Sequence, residues 1–116
     1  MQYLGLKVPV TDTIRVYIPM IEVTEWAIFI VIESDNIDDA LITKLMEMKI
    51  ALVNALGLEE NDVKVIIAVD NVVAKQDKRV IIIPKYTVNK FINSYKTYGF
   101  DKETYNNILK FMSDCR

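Results

Sequence analysis

The chain has no histidine, one cysteine, three glycines and three prolines. The absence of imidazole removes the commonest general base, proton shuttle and zinc ligand, which narrows the enzyme classes open to it. A lone Cys115, next to Arg116, excludes an intrachain disulfide and fits a reducing compartment better than secretion. Long hydrophobic runs are also missing. The longest, Trp26 to Ile32, is strand-sized and far short of the ~20 apolar residues that cross a bilayer. The first residues lack the basic start and apolar centre of a signal peptide. Together these absences predict a cytoplasmic protein with no membrane partner. No cofactor motif or metal-ligand spacing stands out, so neither a cofactor nor a metal is expected.

What is present is enough for one domain. Hydrophobic residues make up 52% of 116 positions, sufficient for a core without disulfide or metal staples. Charge is sorted along the chain. Residues 20–62 hold ten acids against Lys44 and Lys49, a net of −8, whereas residues 63–116 hold ten bases against five acids, a net of +5. The basic part also carries seven of the eleven aromatic residues. Such a split points to docking, either on a second copy or on a charged partner.

Ile14 to Pro19 and Trp26 to Ser34 read as two strands joined through Glu22 to Glu25, with Tyr3 to Val8 as an edge strand ended by Pro9. Ser34, Asp35 and Asn36 offer caps, and Asp38 and Asp39 suit the first turn of a helix running to Leu56. Leu41, Leu45, Met48, Leu52 and Leu56 form its apolar stripe, and Gly57 is a left-handed stop sealed by Leu58. Val63 to Val69 and Val80 to Pro84 read as further strands. Two helices follow, Val88 to Tyr98, stopped at Gly99, and one capped by Asp101, with Phe100 placed to staple Tyr105. The order (β)ββαββαα predicts an α+β domain over residues 1–116, with a four- or five-stranded, mainly antiparallel sheet, helices over one face and a terminal helical hairpin.

Three features bear on function. Glu47-Met-Lys49 and Asp62-Val-Lys64 match the acid-x-lysine triplet of metal-dependent nucleases. Such triplets arise by chance at this composition, and only Asp62 and Lys64, with Asp38, Asp39 or Asp70 as second carboxylate, have a usable setting. The second feature is the basic, aromatic C-terminal third. Lys75, Lys78, Arg79, Lys90, Lys96, Lys102, Asn106 and Lys110 are its candidate contacts to nucleic acid or another anionic partner. A helix-turn-helix does not fit, because Tyr95 and Tyr105 fall where that motif needs a small and an aliphatic residue. The third is surplus apolar surface. The strand Trp26, Ile28, Phe29, Ile30 and Ile32 is apolar on both faces, and Ile42, Met46 and Val53 widen the stripe of the first helix. That surplus predicts a homodimer interface. The resulting expectation is a non-catalytic, self-associating binding or regulatory protein, with nucleic-acid binding and then a metal nuclease as alternatives.

Overall fold

A computed structural model describes residues 1–71 and 76–116. Lys75 lies outside the described residues. Among those described, the chain forms β1 (Gln2–Pro9), β2 (Arg15–Val23), β3 (Ile28–Glu33), α1 (Asp39–Leu56), β4 (Val63–Val69), β5 (Ile81–Pro84), α2 (Val88–Ser94) and α3 (Lys102–Asp114). Short 3-10 turns at Glu60–Asp62 and Lys85–Thr87 precede β4 and α2. The order of elements and the α+β class agree with the sequence reading. None of the helices of the described residues is long and apolar enough to cross a membrane.

The pairing of the sheet differs from the expectation. The five strands lie in chain order, with β1–β2 and β2–β3 antiparallel but β3–β4 and β4–β5 parallel. The sheet is therefore mixed rather than mainly antiparallel. Helix α1 carries the chain back to the start of the sheet, which makes β4 parallel to β3, and β5 in turn runs parallel to β4. Parallel strands are covered on both faces, and the unbroken apolar runs of β3 and β4 are their signature.

Both faces are covered from within the chain. On one, Ile28, Ile30, Val65 and Ile67 pack with Ile42, Leu45 and Leu52 of α1 and with Ile108 and Met112 of α3. On the other, Phe29, Val31, Ile66 and Ala68 pack with Val88 and Ile92 of α2. The Phe29 ring meets Phe91 and Tyr95 edge-on, at centroid distances of 6.4 and 5.3 Å. Each such pair contributes about 0.5–1.5 kcal/mol beyond the burial of the ring. Helices thus occupy both faces instead of one, and α2 and α3 are separated by the sheet rather than paired as a hairpin.

This arrangement accounts for the apolar surplus. Ile28, Phe29, Ile30 and Ile42 are fully buried inside one chain, while Trp26, Ile32, Met46 and Val53 are partly buried. A second subunit is not needed to cover the central strand.

Local sequence fixes the helix ends. Asp38 Oδ1 accepts the Leu41 N–H at 2.8 Å to start α1, and Gly57 at φ 65° ends it while the Leu58 N–H reaches Val53 O at 3.0 Å. Helix α2 is shorter than its periodicity suggests because the chain is pulled away after Ser94. The Thr97 hydroxyl donates to Trp26 O, and the Phe100 N–H donates to Glu25 O at 2.9 Å. Gly99 makes this passage possible, at φ 73° and with no room for a Cβ, which would lie 3.0 Å from both Glu25 O and the Trp26 ring. The linker then crosses the β2–β3 turn and delivers α3 to the α1 side.

Candidate anion-binding site at the amino end of the parallel strands

A cavity of about 390 Å³ lies where α1, the 3-10 turn before β4 and the start of β5 meet. Its charged lining is Lys49 from α1, Glu60 from the turn, Lys64 from β4, and Lys78 and Arg79 from the segment entering β5. Met46, Val65, Val80 and Ile81 supply an apolar floor.

Each lysine is placed by its element. Lys49 follows Met48, a residue of the buried stripe, and is itself half-buried on α1. Lys64 is the second residue of β4, next to the buried Val63 and Val65. The turn before it is held by the Glu59 N–H, which donates to Asp62 Oδ2 at 3.0 Å, and by the Asp62 N–H, which donates to Glu59 O at 3.0 Å.

The electrostatics are unbalanced. Arg79 is satisfied by a forked pair with Asp77, at 2.9 Å from Nε and 2.7 Å from Nη2. Lys49, Lys64 and Lys78 form no ion pair among the described residues. Burial holds the Lys49 ammonium below the ordinary lysine value, the nearby Glu60 opposes that shift, and the like charge of Lys64 reinforces it. One carboxylate against three unpaired lysines leaves a positive site, partly desolvated and open to an anion.

At the opposite end of the parallel strands the charges engage partners within the chain. Lys85 pairs with Glu33 at 3.2 Å, which together with Asp70 and Asp35 raises the lysine above its ordinary value. Asp35 Oδ1 accepts the N–H groups of Asp70 at 2.8 Å and Asn71 at 3.4 Å, tying the end of β4 to the end of β3.

The lysines named from sequence do not form one surface. Lys78 and Arg79 enter the cavity. Lys90 is exposed on α2 and Lys96 on the linker after it, whereas Lys102, Asn106 and Lys110 are exposed on α3, across the sheet from α2. The aromatic residues interleaved with them divide similarly, with Phe91 and Tyr95 packed against Phe29 and only Tyr86 and Tyr98 largely exposed. Lys49 and Lys64 were legible only as parts of acid-x-lysine triplets. A half-buried strand lysine flanked by valines was the signal that marks Lys64.

The carboxylates named with Asp62 and Lys64 lie apart from them. Asp62 is engaged in its turn, and Asp70 lies at the far end of β4, roughly 25 Å away at the rise of a strand. Asp38 and Asp39 lie beyond the length of α1, about 27 Å. Among the described residues, no three acidic or cysteine side chains gather into a group able to hold a metal ion. In comparison with known proteins, the chain matches no family model, no curated protein and no solved structure.

Proposed function

We propose that this protein is a small non-catalytic binding module that captures an anionic partner in the cavity lined by Lys49, Lys64 and Lys78. The supporting observation is that three lysines without an ion pair among the described residues converge on one cavity from three separate elements, whereas others such as Lys90, Lys102 and Lys110 stand apart on the surface. An anion seated there offsets the repulsion between Lys49 and Lys64 and meets three cations at once, which favours it over scattered surface lysines. A reducing, cytoplasmic setting suits the buried Cys115, whose thiol burial pushes upward in pKa and so keeps unreactive.

The test is binding of fluorescently labelled polyglutamate and of a single-stranded oligonucleotide in low and moderate salt. Salt-sensitive binding of either probe, lost when Lys49, Lys64 and Lys78 are all changed to Gln, supports the reading. Binding that survives the triple change places the anion elsewhere, for instance on the lysines of α3.

Self-association is the second reading, and a different surface favours it. Val10, Ile14 and Ile50 are about half exposed and line a groove of about 410 Å³ between the β1–β2 connection and α1. Light scattering across a range of concentrations tests it. A mass that stays monomeric at the highest concentration removes it.

A further inference from the structure

The two edges of the sheet are treated differently. Along β1, the Lys7 N–H donates to Cys115 O at 3.0 Å, so the end of α3 covers part of that edge. The other edge is β5, whose only strand neighbour is β4, and among the described residues no backbone group pairs with its outer side. Exposed edges are usually guarded by charge, by a bulge or by a covering element. Val80 to Ile83 carry no charge, and only Pro84 interrupts the run.

The side chains show the same incompleteness. Six of the seven residues of β4 are buried, whereas all four of β5 are half-buried, Ile81, Ile82 and Ile83 among them. One more strand alongside would complete their cover. The amino end of this open edge runs into the basic cavity, since Val80 and Ile81 line it together with Lys49, Lys64 and Lys78.

We propose that the anionic partner is an acidic, extended polypeptide segment that pairs with the outer edge of β5 as a sixth strand and seats its carboxylates against Lys49, Lys64 and Lys78. This rests on the anion-binding reading above and names the partner's class. Main-chain hydrogen bonds along Ile81 to Ile83 supply affinity, the isoleucines receive its apolar side chains on both faces, and the lysines select for acids. A nucleic acid fits the same place less well. Among the described residues the cavity lining has no aromatic side chain on which a base could stack, and the exposed Tyr86 and Tyr98 are not part of it.

Four probes test this by fluorescence polarisation on the whole chain: a peptide of about eight residues alternating Glu and Val, its Gln/Val counterpart, the Glu/Val peptide N-methylated on alternate amides, and a single-stranded oligonucleotide of equal charge. The expected result is binding of the Glu/Val peptide, with losses of at least about tenfold on N-methylation and on exchange to Gln. Amide exchange at Ile81 to Ile83 should slow in the complex. Equal binding of the methylated and unmethylated peptides, lost in the triple Lys→Gln variant, overturns the strand proposal and leaves the anion site standing. Tighter binding of the oligonucleotide overturns it in favour of nucleic acid. Failure of every probe removes both the strand proposal and the anion-binding reading.

Discussion

The two ends of the parallel strands use charge in opposite ways. At the carboxyl end, Glu33 holds Lys85, and Asp35 ties down the amides of Asp70 and Asn71. At the amino end, Lys49, Lys64 and Lys78 share a cavity with Glu60 and make no ion pair among the described residues. The difference separates charge that serves the fold from charge that the fold leaves available. Asp35 replaces a missing protein donor–acceptor partner, so deleting it exposes backbone. Removing the cavity lysines leaves no backbone group without its partner and relieves repulsion between Lys49 and Lys64.

The largest expected effect breaks the sheet that keeps the two ends apart. Phe29→Ala removes a fully buried ring and both of its edge-on partners, and should cost about 3–5 kcal/mol in denaturant unfolding. Both ends then lose their geometry together. Asp35→Ala acts on the carboxyl end alone. Two amides lose a charged acceptor, and a loss of about 1–2 kcal/mol is expected, limited by the exposure of the site, with anion binding unchanged.

A smaller effect sharpens the contrast through pH. Because the folded-state pKa of Lys49 lies below its ordinary value, its charged form opposes folding. That penalty is complete below the folded pKa and is relieved as pH rises through it toward the unfolded value. Stability contributed by this residue therefore increases over an alkaline window just under 10.5, while affinity for an anion falls over the same window. Denaturation midpoints against pH for wild type and Lys49→Gln check this. The increment should vanish in the variant.

Much of the scaffold could be read from the sequence, because it is set by local chemistry. Gly57 and Asp101 cap their helices as the sequence reading placed them, whereas the N-cap of α1 is Asp38, read from sequence as a first-turn residue, and not Ser34, Asp35 or Asn36. The direction of β4 and β5 could not be read the same way, since apolar strands pair in either sense and the choice for β4 is made by how α1 returns the chain. The fate of α2 was hidden for a similar reason. Val88 to Tyr98 has helical periodicity, but the helix stops at Ser94 because Thr97 and Phe100 are held by the backbone of Trp26 and Glu25, some seventy residues earlier, with Gly99 giving room for the approach.

The candidate site was legible only in fragments. Lys78 and Arg79 stood out as part of a basic run, but Lys49 and Lys64 stood in an acidic or mixed context where their neighbouring acids drew attention to metal chemistry. Contact between α1 and the start of β4 brings those two residues to the lining of a common cavity, a long-range event with no sequence period. The charge split along the chain is therefore a poor map of the charged surface. Lys49 belongs to the acidic half, yet it lies with Lys64, Lys78 and Arg79 of the basic half.

The most direct test compares the two ends in one titration. Labelled polyglutamate is titrated at low salt into wild type, into the variant with Lys49, Lys64 and Lys78 changed to Gln, and into Lys85→Gln from the opposite end, with thermal unfolding recorded for each. The account predicts at least about tenfold weaker binding for the triple variant, no change in affinity for Lys85→Gln, and no loss of thermal stability in the triple variant. Equal affinity in all three proteins, or a triple variant that unfolds at lower temperature, would contradict it.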